Sequence, residues 1–265
     1  MAFNSNSAPV SRLAPNELYG EVPGGRDIYP AFDDPEGNLC APVWTLVESD
    51  GVTVKAAPMS HSVPCVGYVV KEADKPGRLR REVAMPVIER NFAVLKENSV
   101  RDPMKMMSAL AKLKDGESLR FPDGTLLTKE DVQDEERMGR KVVILGDTCD
   151  AGALENLAKD CDLLVHEATN AFVPEYERSG DYSDLERDTV KHGHSTPVLA
   201  GAFAKRVGAK RLALNHFSSR YAGDSSELAV RQMRVIEEQA LKASGLDEDK
   251  VVAAWDHLQF PIPPP

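Results

Sequence analysis

Hydrophobic and polar positions along the chain fall into two regimes. Between residues 43 and 70 the apolar residues come as short runs, 43–47, 52–57 and 66–70, and Asp50-Gly51 between the first two is a two-residue hairpin signal. Residues 78–113 follow a helical period, expected to break near Pro86 and Pro103 because proline removes a backbone donor. The turn Pro122-Asp123-Gly124 leads into a helical or irregular acidic stretch. From Lys141 onward the pattern becomes strand, turn and helix: strands at 142–145, 163–165, 211–215 and 251–255 alternate with helices at 152–159, 197–207 and 227–243. Such alternation predicts an α/β fold with parallel strands. The helix at 197 is the best specified, since Thr196 suits the N-cap and Pro197 the first helical position. Residues 1–38 are rich in Asn, Ser, Pro and Gly without a sustained period, which reads as a loose extension. The chain has no internal repeat.

Composition narrows the class. A chain of 265 residues at 42% hydrophobic and 28% charged can bury one full core. The sequence holds no run of 18 apolar residues, and residues 1–15 have no basic start followed by an apolar stretch. The expectation is a soluble, intracellular protein with no membrane partner, its compartment (cytoplasm, nucleus or organelle) left open. Cys40, Cys65, Cys149 and Cys161 show no Cys-x-x-Cys spacing, which suits reduced thiols better than a disulfide frame or zinc ribbon. The net charge of −10 argues against non-specific nucleic-acid binding. Residues 71–120 run the other way, with twelve Lys+Arg against eight Asp+Glu. A solvated helical insert and an RNA-contacting arm both fit that excess.

Polar residues that carry chemistry collect at the predicted strand ends and loops: His61, Asp147, His166 with Glu167, and His216, with His194 at a helix start. Imidazole and carboxylate are the usual ligands of hydrolytic zinc, and one carboxylate between two histidines can bridge two ions. Asp147 is the natural bridge, and Gly146 before it is expected to let the strand end turn sharply. Ser195 and Thr196 stand at a helix N-terminus, where they either cradle a phosphate or simply cap the helix. Taken singly, each residue has a structural reading as well: a loop histidine, a turn former, a hydrogen-bonded core group.

Taken together, His61-x-x-Pro64-x-x-Gly67-Tyr68, Gly146-Asp147-Thr148, His166-Glu167-Ala168-Thr169, Gly193-His194-Ser195-Thr196-Pro197 and His216-Phe217-Ser218-x-Arg220-Tyr221 resemble the ordered motifs of ribonuclease Z. That family comprises the tRNA 3′-processing endonucleases of the metallo-β-lactamase superfamily. Pro76-Gly77-Arg78 and the segment from Lys112 to Glu117 resemble the flanks of the family's substrate arm. The resemblance implies a four-layer αβ/βα sandwich, here with its N-terminal part incomplete. It divides the chain into an extension or remnant at 1–38, a partial domain at 39–260 with a helical, locally basic insert at about 71–128, and a Pro-rich tail at 261–265.

The same resemblance implies two zinc ions, with His61 on one, His216 on the other and Asp147 bridging. It makes His194 the proton donor, oriented by Glu167, and assigns Thr169, Ser195, Thr196, Ser218, Arg220 and Tyr221 to substrate binding. Its substrate would be precursor tRNA, cut to leave a 3′-hydroxyl on the tRNA and a 5′-phosphate on the trailer, by a protein that commonly forms dimers. Two departures stand out. The family's principal ligand motif, His-x-His-x-Asp-His, does not occur in these 265 residues, and Arg101-Asp102-Pro103-Met104-Lys105-Met106-Met107 replaces the usual Gly-Pro-rich stretch of the arm. Three readings follow: a ribonuclease Z lacking its N-terminal third and inactive by itself; a non-catalytic tRNA-binding or regulatory partner of a full-length homologue; and a generic hydrolase of the same fold.

Overall fold

The computed structural model describes residues 28–31, 41–49, 51–97, 102, 104–174 and 181–263. Asp50 of the expected hairpin turn, Cys40, Pro103 and most of the expected extension lie outside them. The chain begins with three antiparallel strands, β1 (Trp44–Ser49), β2 (Val52–Met59) and β3 (Cys65–Glu72). A helical insert follows, built from α1 (Arg81–Glu97), α2 (Lys105–Leu110), a small ribbon of β4 (Ser118–Arg120) and β5 (Leu126–Thr128), and α3 (Lys129–Val132). Then come β6 (Lys141–Ile144), α4 (Glu155–Ala158), β7 (Leu163–Glu167), α5 (Tyr182–Lys191) and α6 (Pro197–Val207). The last elements are β8 (Leu212–Asn215), α7 (Glu227–Ser244) and β9 (Val251–Ala253).

The seven long-range strands form one sheet in the order β1-β2-β3-β6-β7-β8-β9. β3 pairs antiparallel with β6, while β6 to β9 are parallel. It follows that β2, β6, β7 and β8 all point the same way, and their C-terminal ends share one edge of the sheet. In α/β proteins that edge gathers ligands.

Local chemistry accounts for the helix ends. Thr196 Oγ1 accepts from the Leu199 amide at 3.3 Å and Pro197 opens α6, as the sequence predicts. Asp181 and Ser226 cap α5 and α7 in the same way. α6 ends at Gly208 with φ +66°, a backbone conformation in which a side chain is strained.

Two cores hold the molecule together. In the larger, Val143, Leu145, Leu154, Leu164, Leu212, Leu214 and Ile236 pack between one face of the sheet and the helices α4, α6 and α7. A fully buried aliphatic side chain stabilises the fold by about 1.5–3 kcal/mol, so this face carries most of the fold's stability. The smaller core belongs to the insert and joins Ala84, Val87, Ile88 and Leu95 of α1 to Leu110, Phe121, Leu127 and Val132. Among the described residues no helix covers the opposite sheet face: Tyr68 and its partner across the strands, Ile144, are 40% and 43% exposed.

Three expectations need correction, and one expected turn proves to close a hairpin that was not foreseen. Pro86 does not break α1; it sits on an exposed position, and the five residues α1 buries outweigh the lost hydrogen bond. The Pro122-Asp123-Gly124 turn closes a hairpin, with the Phe121 amide bonded to the Thr125 carbonyl at 2.8 Å. Its strands are three residues each, too short to show alternation. The helix α5 lay unseen within an expected loop, because its sequence is polar on most sides. The expected helix at 152–159 is a 3-10 turn, Gly152–Leu154, followed by the single turn of α4.

Candidate active site

Every candidate residue is carried by the shared strand edge or the loop that closes over it. His61 follows the end of β2, in a loop fixed by the Ser60 amide on the Asp150 carbonyl and the Cys149 amide on the Ser60 carbonyl. Asp147 follows β6, Glu167 ends β7, and His216 follows β8 with φ +55°. His194 arrives from the other direction, between α5 and α6. Gly146 does not play the expected role: its φ is not left-handed, and its small size instead leaves room for Cys65 Sγ, 3.3 Å from where a Cβ would lie.

The hydrogen-bond partners decide how the imidazoles are protonated. His61 Nδ1 lies 2.7 Å from the Gly193 carbonyl oxygen, which can only accept. The proton is therefore on Nδ1, and Nε2 keeps its lone pair. Thr169 Oγ1 donates to Glu167 Oε2 at 2.5 Å and, having one proton, accepts from His216 Nδ1 at 2.8 Å. His194 Nδ1 donates to Glu167 Oε1 at 3.1 Å. All three histidines thus hold Nδ1 on a protein acceptor and turn Nε2 toward the cluster, where the Ser62 hydroxyl lies 3.3 Å from His61 Nε2.

Asp147 Oδ2 stands 3.3 Å from His216 Nε2 and 4.0 Å from His61 Nε2. A carboxylate facing two imidazole lone pairs is favourable only when a proton or a cation lies between them. The His61 and His194 rings are 4.9 Å apart and the His194 and His216 rings 5.3 Å, so one cluster contains all three. Ligand atoms of His61, Asp147 and His194, and those of Glu167, His194 and His216, lie within 4.8 Å of one another.

Hydrogen bonding separates these two groups. Glu167 is fully buried and accepts four bonds: Thr148 N at 2.6 Å and His194 Nδ1 on Oε1, Thr169 Oγ1 and Ser195 N at 3.0 Å on Oε2. Two carboxylate oxygens offer about four lone-pair sites. None remains for a metal, and the arrangement suits the ionised carboxylate as an anchor for His194. With Glu167 set aside, the group whose ligand atoms lie within 4.8 Å of one another is His61, Asp147 and His194, with His216 Nε2 beside it at 3.3 Å from Asp147 Oδ2. His166 alternates to the helix side of β7, where it is buried against Phe203 with its ring 5.8 Å away, and burial holds its pKa below the ordinary histidine value.

The residues expected to touch substrate divide. Ser195 and Thr196 are buried. Ser195 Oγ donates to the Thr148 carbonyl at 2.6 Å, and Thr196 Oγ1 bonds the Tyr182 hydroxyl at 2.9 Å, so both side chains tie the site together instead of facing a ligand. Burial also raises the Tyr182 phenol's pKa. Tyr221 is buried too, its hydroxyl bonded to both the amide and the carbonyl of Ala171. Arg220 reaches the same carbonyl and the same hydroxyl but keeps an exposed face. Ser218 binds the Thr169 carbonyl through its amide, and Thr169 is half-buried at the centre of the cluster.

Sequence reasoning missed two supports. Thr148, quoted only as part of a motif, joins Glu167, Ser195 and the Ser60 carbonyl. Cys65 lies beside Gly146, and burial raises the pKa of its thiol. Nothing in a sequence distinguishes such internal struts from surface residues of the same type.

Among the described residues no helix is long and apolar enough to cross a membrane. No protein-family model matches the chain. It is similar to the ribonuclease Z of Halobacterium salinarum, at 31% identity over 273 residues, covering 99% of this chain and 74% of that protein. The ribonuclease Z of Halorubrum lacusprofundi is 34% identical over 86% of this chain and 66% of its own length. A zinc phosphodiesterase ELAC protein 1 from Bos taurus is 34% identical over 83% of this chain and 54% of its own length. The chain thus spans about three quarters of the first relative and about half of the last. Among solved structures, human short-form tRNase Z overlaps 83% of this chain and 47% of its own, at 22% identity and a TM-score of 0.42. The metallo-β-lactamase fold protein YhfI from Bacillus subtilis has 13% identity and a TM-score of 0.38. Family membership rests on the sequence relatives. The 31% identity to the Halobacterium salinarum protein, across 99% of this chain and 74% of that one, places the chain in the ribonuclease Z family.

Proposed function

We propose that the chain acts in tRNA 3′-end processing as a zinc-dependent endoribonuclease, hydrolysing the phosphodiester that joins the trailer to precursor tRNA. The observation that supports this reading best is the cluster itself: three imidazoles with Nδ1 committed, Asp147 between two of them, and a buried carboxylate behind His194. His61, Asp147 and His216 would hold the metal, with Asp147 shared where two ions bind. When bound, zinc supplies positive charge to the phosphoryl group and makes water nucleophilic near neutral pH. His194, held at Nδ1 by Glu167, keeps Nε2 for the proton that the departing 3′-oxygen of the tRNA takes up. Products are a 3′-hydroxyl on the tRNA and a 5′-phosphate on the trailer. Arg220, Ser218 and Thr169 border the reacting end, where phosphate contacts would set register.

The insert at about 71–128 is the reading's candidate for gripping tRNA. Its cations are partly answered within the protein, by Arg80 on Asp134 and Arg90 on Asp123. A catalytic zinc takes about three protein ligands, so the three donors named here fall short for two ions. The test follows from that shortage. Joining a segment with His-x-His-x-Asp-His ahead of this chain should give zinc-dependent release of the trailer. A joined protein that folds and leaves precursor tRNA uncut overturns the proposal.

The same shortage favours a second reading, a tRNA-binding partner of a full-length homologue, in a dimer that completes the site. It predicts binding of precursor tRNA by this chain in the presence of a chelator, and association with such a homologue. Absence of both in a gel-shift and a co-sedimentation experiment rejects it.

A further inference from the structure

The loop that carries His194 also governs His61. Gly193 has φ +87°, and its carbonyl oxygen receives the His61 Nδ1 proton at 2.7 Å. The hydrogen bond alone makes no demand on the side chain at 193, but the surrounding space does. A Cβ on residue 193 would lie 2.7 Å from His61 Nδ1, 2.9 Å from the Ser62 amide nitrogen and 3.3 Å from His61 Cε1. Two separate requirements for glycine meet there, a left-handed backbone and an approach closer than any side chain permits.

The glycine is set on a firm base. Its amide donates to the Val190 carbonyl at 2.9 Å, and the His194 amide to the Thr189 carbonyl at 3.1 Å. Thr189 is in turn tied to the Leu185 carbonyl and to Asn170. The C-terminal end of α5 therefore fixes where the Gly193 carbonyl points.

We propose that Gly193 is a positioning residue for His61: its carbonyl selects the tautomer that leaves Nε2 unprotonated, and its missing side chain lets the two loops close so that this nitrogen faces Asp147. Capture of a divalent cation by the cluster depends on it, an inference that rests on the metal-dependent reading given above. Outer partners that orient a ligating histidine contribute ~10- to 100-fold in metal affinity.

The experiment uses the full chain and its Gly193→Ala variant with two readouts. Long-range proton–nitrogen NMR of the imidazoles, at about pH 8 where free imidazole is neutral, reports the His61 tautomer, and competition with a chromophoric chelator reports zinc affinity. In the unsubstituted chain His61 should show a single Nδ1-protonated form, which the variant loses together with ~10- to 100-fold in zinc affinity. Gly245→Ala is the matched control: Gly245 has φ +72° with no atom within 4 Å of an added Cβ, so it carries the backbone strain without the approach. It should melt lower but keep both signatures.

If Gly193→Ala does not fold, His61→Ala combined with Gly193→Ala removes two of the three close contacts, and the double variant should fold again. The inference is overturned if Gly193→Ala keeps the tautomer and the zinc affinity, or if His61→Ala gives no relief. A chain that binds no zinc but shows the tautomer, lost in the variant, supports the positioning role while rejecting the metal-dependent reading.

Discussion

Glu167 is the residue on which the site's order most depends. With four donors converging on a fully buried carboxylate, Glu167→Gln turns two acceptor positions into an amide NH2 group facing other donors. Loss of charge-assisted bonds and burial of unmatched donors should cost about 3 kcal/mol, read as a shift in urea-unfolding free energy. His166 gives a pH signature. Burial depresses its pKa below the ordinary histidine value of 6.5, so the unfolded chain takes up a proton that the folded chain refuses. That contribution is complete above about pH 6.5 and is lost as the pH falls, by about 1.4 kcal/mol per pH unit, until the folded group also titrates. The slope of stability between about pH 6.5 and 5 should flatten in His166→Gln. Residue types at the cluster were legible in the sequence. Their directions were not: Ser195, Thr196 and Tyr221 look like surface polar residues until the loops around them are in place.

At the level of elements, the helices with strong end signals were readable and the weakly patterned pieces were not. α6 could be placed because Thr196-Pro197 marks its start by backbone chemistry that needs no neighbour, and α7 because its length carries an amphipathic period. α5 and the β4–β5 ribbon depend on what they pack against. The crossing of α6 and α7 shows how tertiary packing overrides propensity. Gly201 lies mid-helix, where alanine would gain at most about 1 kcal/mol. A Cβ there would be 2.4 Å from the Ala240 carbonyl oxygen and 2.8 Å from Ala243 Cβ. Because the nearest atom is backbone, Gly201→Ala should force the helices apart and destabilise the protein by about 2 kcal/mol, visible as a lower melting temperature.

For the whole molecule, the decisive asymmetry is between the two faces of the sheet. One buries the larger core under α4, α6 and α7; the other exposes Tyr68 and Ile144 at its centre. An apolar sheet face in water binds hydrophobic dyes and promotes association. Ile144→Lys should reduce dye fluorescence of the isolated chain while changing stability by no more than about 0.5 kcal/mol, since the side chain is already half in solvent. Equal dye binding in both proteins would show that the exposed face is covered in solution.

Sequence alone determined what depends on residue identity and short-range order: the α/β alternation, the capped helices, the basic excess of the insert, and the motifs whose order places the chain among the ribonuclease Z proteins. Tertiary structure decided what depends on approach between distant segments. It set four parallel strand ends on one edge, put Nδ1 of three histidines on separate acceptors, turned Ser195 and Thr196 inward, and gave Gly193 its contact with His61 across 132 positions of chain. Tautomers, burial and ligand direction are properties of neighbours in space, and a linear pattern carries them only where backbone chemistry forces a single local shape.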